Sequence, residues 1–433
     1  MQRRHFLALT GAAFALPALP LHAANLTPTD TLLTWYKLVI ELVRHTATYS
    51  PPVAARAFGY LGVAAYESLA SGAGAVSLAG QINGLTALPA RDAGTYDEAL
   101  VLHAVLSETV AAFFGNTGPT GQRSMAAMRD KLGMKLRDGV AEDVAARSAA
   151  YGLAVAKHIE DYSKSDGGHD VKNMGFPMEW TLQKGPEFWV PTSVIVQQQA
   201  PLLPNWGKNR PFAMPVDAPC TAGDPPAYSE DPTSEFYLEA MEVYEVSKTL
   251  TDDQKAIARF WSDDPMLSPT PPGHWISITL QILHRDGTDA LHAADALARV
   301  GMVVSDAFVA CWADKINYNR LRPVTYIKRV IDKTWEPMLI TPPFAEYPSG
   351  HSTQSGAAAV VLTAVFGENF AFDDATHADD GIKPRHFPNF DAAAAEAAAS
   401  RLYGGIHFRA ANENGLRQGA EVGSFINTLK TLA

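Results

Sequence analysis

Alternation of branched or aromatic residues with polar ones, the signature of a half-buried strand, is nearly absent from this chain over runs of five or more residues. Apolar residues recur instead at three- and four-residue spacing over 32–46, 98–114, 144–162 and 291–315, in stretches rich in Ala and Leu. Pro and Gly punctuate between these segments. The pattern argues against a sheet of any size and predicts an all-α fold. One stretch departs from it: residues 166–230 are rich in Pro, Gly and aromatics and hold no sustained period. That is long for a simple connection, so the segment is expected to cover the helices rather than merely link them. It divides an N-terminal helical half (24–165) from a C-terminal helical bundle (231–433), and two packed bundles are the simplest architecture.

A net charge of -11 argues against nucleic acid or an anionic membrane surface as partner. Any anion must then be captured by a local basic cluster. The first 23 residues carry an adjacent arginine pair (Arg3-Arg4), Phe6-Leu7, a short apolar stretch and a small-residue exit at Ala23-Ala24. That order describes an export signal of the twin-arginine type, which predicts a periplasmic or secreted protein. The apolar stretch is interrupted by Pro17 and Pro20 and is shorter than the roughly 18–20 residues a spanning helix needs. No membrane span is expected elsewhere. Cys220 and Cys311 share no framework spacing, so the sequence leaves their pairing open.

Three elements near the C-terminus carry groups suited to one oxyanion. In the first, Lys315 stands seven residues before Arg322, which precedes Pro323. Seven residues make about two helical turns, which puts both cations on one face if the helix continues, although the Pro marks a break. In the second, Pro348-Ser349-Gly350-His351 opens an Ala-rich helix. Ser349 is placed at its N-cap, Gly350 offers a closely approachable amide, and His351 projects from the first turn. In the third, Arg401 and His407 flank Gly404-Gly405 at the end of another Ala-rich helix. The glycine pair marks a break or a close approach. Two arginines, a lysine, a hydroxyl and an amide form a cage, and two histidines remain for chemistry.

In order and spacing these elements resemble the Lys-x6-Arg-Pro, Pro-Ser-Gly-His and Ser-Arg-x5-His motifs of one superfamily. It is shared by type-2 phosphatidic acid phosphatases, bacterial class A acid phosphatases and vanadium-dependent haloperoxidases. The resemblance covers about 261–419 and implies a helical bundle with the site in the C-terminal half. In the haloperoxidase form it implies vanadate as cofactor, with His407 ligating the metal and Lys315, Arg322, Ser349, Gly350 and Arg401 binding its oxygens. His351, and Lys315 with it, would then assist catalysis, with hydrogen peroxide and a halide as substrates. The alternative is a soluble acid phosphatase without a cofactor, in which a small phosphate ester is the substrate, His407 the nucleophile and His351 the acid.

Further similarities favour the haloperoxidase form. Trp312 and Phe344 resemble halide-facing aromatics, and Asp264, in Phe260-Trp261-Ser262-Asp263-Asp264, resembles a supporting partner of the cage cations. The chain is longer than class A acid phosphatases. One position departs from the pattern: Ala411 stands four residues beyond His407, where phosphatases carry an Asp that orients the histidine. Support for His407 must come from elsewhere, and Asn412 or a backbone carbonyl is the nearest replacement.

Overall fold

Each periodic segment forms a helix in the computed structural model, which describes residues 26–171, 175–193, 199–217 and 220–432. Helices α1 (Pro28–His45), α2 (Pro51–Ala73), α3 (Glu98–Phe113), α4 (Pro119–Arg137) and α5 (Glu142–Ser163) make up the N-terminal half, followed by the single turn α6 (Gly168–Val171). The C-terminal half contains α7 (Glu235–Thr249), α8 (Asp252–Phe260), α9 (Thr270–Asp286), α10 (Ala290–Tyr318) and α11 (Pro323–Val330). It continues with α12 (Gly350–Phe366), α13 (Phe390–Tyr403) and α14 (Arg409–Ile426). Among the described residues the only sheet is an antiparallel hairpin of β1 (Phe372–Asp374) and β2 (Arg385–Phe387). The fold is all-α.

Local sequence sets the helix boundaries. Thr27 and Asp30 form a reciprocal capping box at α1, Asp97 caps α3 through the Leu100 amide, and Asp289 caps α10 through the Leu291 and His292 amides. The two halves are joined by α2 and α10, which meet backbone to backbone. A Cβ on Gly62 would lie 2.5 Å from Ala298 Cα, and one on Gly301 would lie 2.4 Å from the Phe58 carbonyl. One apolar core runs through both halves as a result.

Helix α10 is long and apolar enough to cross a membrane by length and composition, but most of it is buried among the other helices. The connecting stretch lies along it. Asp306 accepts from the amides of Phe212, Ala213 and Met214 at 2.5, 2.8 and 3.0 Å. Asp314 accepts from the Ala222 amide at 2.7 Å, and Trp312 Nε1 donates to the Leu202 carbonyl at 3.1 Å. A stretch without its own periodicity is thereby fixed by polar side chains of a helix. Cys220 and Cys311 are both buried and free. The export signal read at 1–23 lies outside the described residues.

Candidate active site

Lys315 and Arg322 do not share one helix face. Helix α10 stops at Tyr318, Asn319 takes a left-handed conformation (φ 44°), and Arg322 is the extended N-cap residue of α11. Pro323 forces the change, because its ring disfavours helical geometry in the residue before it. The two cations reach one site from either side of this break. Lys315 donates to the carbonyls of Ala345 (2.9 Å) and Glu346 (3.0 Å) and to that of Pro348. Arg322 donates through Nε to the Phe344 carbonyl and through Nη1 to the Ile406 carbonyl, each at 2.9 Å.

Ser349 is the N-cap of α12, accepting from the Ser352 amide, so Gly350 and His351 occupy its first turn, where unpaired amides and the helix dipole favour an anion. The Gly350 α-carbon faces Phe308 and Trp312, and a Cβ there would make only ordinary contacts at 3.4 and 3.6 Å. Packing therefore does not force the glycine. The Gly404-Gly405 pair is the break expected of it. Helix α13 ends there, Gly405 adopts φ 74°, and the chain turns to place His407 just before α14.

All seven residues converge, and six of them are almost wholly buried. The cations crowd one another in low dielectric. Burial pushes the Lys315 ammonium down to about 8, and burial with the charge of Arg401 pushes Arg322 down to about 9. Burial brings Arg401 down to about 10. Two guanidinium donors, Arg322 Nη2 and Arg401 Nε, are buried and unpaired, and His351 Nε2 is likewise buried without a partner. Unpaired buried cationic donors are costly unless an anion completes them. A tetrahedral oxyanion fits this donor set.

The tautomer of His407 follows from its neighbours. Arg322 Nη1 lies 3.0 Å from Nε2, and a guanidinium can only donate, so Nε2 accepts and the proton sits on Nδ1. Nδ1 lies 3.1 Å from Glu346 Oε1, which also accepts from the Phe408 amide at 2.9 Å. Burial, together with Arg322 and Lys315, holds the imidazole well below its ordinary range, hence neutral. His351 is likewise pushed well down, by burial and then by Arg401.

Glu346 is the residue that sequence reasoning missed. It supplies the support absent at Ala411, so neither Asn412 nor a carbonyl fills that role, and Ala411 does not distinguish the two chemistries. Ala411 instead accepts from the Ser349 amide at 3.0 Å through its carbonyl. The far oxygen of Glu346 faces Arg320 at 3.6 Å, and Arg320 also pairs with Glu239 at 2.9 Å. A signal was present: Glu346 is the acid nearest Pro-Ser-Gly-His in sequence, two residues before Pro348. Asp264 stands in the field of Arg401, but its neighbour Asp263 comes nearest to His351, at 3.9 Å. The rings of Trp312 and Phe344 are 4.9 Å apart, and Phe344 covers both cations, with Lys315 Nζ 5.1 Å and Arg322 Cζ 5.0 Å from its ring centre.

Residues 295–431 match the family model of the VCPO second helical-bundle domain. The crystal structure of a bacterial vanadium-dependent iodoperoxidase superposes with a TM-score of 0.85 at 38% identity, over 95% of this chain and 98% of that one. The chain belongs to the vanadium haloperoxidase superfamily. Two structures of bacterial vanadium-dependent chloroperoxidase share the haloperoxidase fold at lower identity. The apo form gives a TM-score of 0.64 at 14% identity, over 89% of this chain and 95% of that one. The holo form gives 0.60 at 15%, over 94% and 93%. Among curated proteins, none matches this haloperoxidase-family sequence significantly.

Proposed function

We propose that this protein is a vanadium-dependent haloperoxidase that uses hydrogen peroxide to oxidise a halide to hypohalous acid. The observation that carries the reading is His407, neutral, with its Nε2 lone pair turned toward a cage of cations that lack an anion. A metal ligand must present such a lone pair, and the carboxylate behind Nδ1 is the outer partner that ligating histidines have. Bound there, vanadate would supply a Lewis-acid centre that activates peroxide toward halide.

The chain's own residues do the rest. His407 Nε2 would hold the metal once Arg322 Nη1, from which it accepts in the free protein, releases its lone pair. Arg322 and Arg401 would direct their free donors at the oxygens, and Lys315 adds a point charge fixed by three carbonyls. The Ser349 hydroxyl and the amides of the first turn of α12 complete the cage. His351, neutral and unpaired at Nε2, would hold the proton that hydrogen peroxide gives up on entering the site. Trp312 and Phe344 exclude water from the halide side.

Glu346 supports a second reading, because a carboxylate-backed neutral imidazole is also a competent nucleophile toward phosphorus. One experiment separates them. Metal-free protein is loaded with orthovanadate and assayed with peroxide and iodide or bromide for halogenation of a phenolic dye, alongside phosphate-ester hydrolysis without vanadate. Vanadate-dependent halogenation is expected. Hydrolysis that vanadate only inhibits, without halogenation, would overturn the first reading in favour of the phosphatase.

A further inference from the structure

Beyond the cage, on the Asp263 side of His351, ionisable side chains from three separate segments meet in the interior. Asp263 lies in the turn after α8, His274 in α9, Asp374 in β1, and His377 in the loop that follows β1. All four are buried. His274 Nδ1 is 3.0 Å from both oxygens of Asp263, and His377 Nε2 is 3.1 Å from Asp263 Oδ1. The far nitrogens also face carboxylates: His274 Nε2 lies 2.7 Å from Asp374 Oδ2, and His377 Nδ1 lies 3.5 Å from Asp380 Oδ2. Asp380 is tied in turn to Arg44 of α1 at 2.8 Å.

We propose that Asp263, His274 and His377 are the ligands of a divalent cation of the zinc class, at a centre separate from the oxyanion cage. Two imidazole nitrogens and one carboxylate oxygen are the donor set such an ion selects. In a tetrahedral site with bonds of about 2.0–2.1 Å, ligand atoms stand roughly 3.3 Å apart, close to the separations between Asp263 and each of the two imidazoles. Both histidines have the outer carboxylate that orients a ligating imidazole, Asp374 for one and Asp380 for the other. The fourth position falls to water or to the second oxygen of Asp263.

Charge points the same way. Asp263 and Asp374 are buried carboxylates, and among the described residues neither pairs with a lysine or an arginine. A divalent cation balances both while leaving the histidines neutral, as ligands must be. Backbone strain is a third sign. Asp263 sits at φ 49°, a left-handed conformation that a residue other than glycine keeps only when its surroundings fix it. The centre ties the turn after α8, helix α9 and the hairpin loop together, and it sets Asp263 beside His351.

The competing arrangement is a pair of protonated histidines neutralising the two carboxylates, and the full-length protein distinguishes the two. Elemental analysis of the purified chain should find about one zinc-class ion per molecule. After chelation, Zn2+ should rebind at a stoichiometry of one and raise the melting temperature, and Co2+ should give the visible absorption band of a four-coordinate site. His377→Gln should lose the ion, whereas His407→Ala should keep it while losing vanadate, so the result stands apart from the peroxidase reading. Absence of metal as purified, with neither a thermal shift from Zn2+ nor a Co2+ band in the wild type, would overturn the proposal. Retention of the ion by His377→Gln would overturn it as well. If that variant does not fold, the wild-type Co2+ spectrum decides alone.

Discussion

His407 depends on two neighbours of opposite character: Arg322 fixes which nitrogen accepts, and Glu346 holds the other nitrogen's proton. His407→Ala should abolish vanadate binding and turnover while leaving the fold intact, as read by vanadate titration and circular dichroism. Glu346→Gln keeps the shape but weakens the acceptor behind Nδ1. Loss of such an outer partner typically costs roughly 10- to 100-fold in metal affinity, and a titration of this variant should show a loss of that order. Lys315, the cage cation lowered to about 8 where Arg322 and Arg401 are lowered to about 9 and about 10, sets where the pH dependence begins. Burial lowers its pKa to about 8 in the anion-free protein, and a bound anion raises it again by favouring the charged form. Anion binding above pH 8 must therefore take up a proton. Affinity for phosphate or vanadate should fall as pH rises from 8 toward 10, and isothermal titration in two buffers of different ionisation heat should reveal the uptake. An affinity that is flat across that range would show that Lys315 and the two arginines stay charged without the anion.

At the scale of elements, the helices and their caps could be read from the chain because they depend on neighbours in sequence. Ser349 as N-cap and the glycine pair closing α13 follow from local chemistry. The cage was equally legible, since each of its three elements is contiguous. What escaped is non-local. Glu346 meets His407 across 61 positions of sequence, and the Asp263, His274 and His377 cluster joins segments up to 114 apart. No periodicity encodes such meetings. The seven-residue spacing of Lys315 and Arg322 suggested one helix face, and Pro323 overrode it. The covering stretch depends likewise on distant partners, chiefly Asp306. Asp306→Ala would strip three amides of their acceptor at once. At about 1–3 kcal/mol for each buried unsatisfied group, partly relieved by water, a loss of about 3 kcal/mol is expected, seen as a lower melting temperature.

At the scale of the molecule, the two halves share a core through the glycine-mediated contact of α2 with α10, although only the C-terminal half carries the cage. Unfolding should be a single calorimetric transition that vanadate shifts as a whole. A ligand at 100 times its dissociation constant adds about 2.7 kcal/mol to whatever unit it binds. Two transitions, only one of them responsive to vanadate, would show that the halves fold independently. Everything proposed for the cage turns on where the oxyanion sits, and anomalous diffraction from crystals soaked in orthovanadate locates it. One strong vanadium peak is expected in bonding contact with His407 Nε2, surrounded by Arg322, Arg401 and Ser349. A peak away from His407, or none at saturating vanadate, would contradict the assignment.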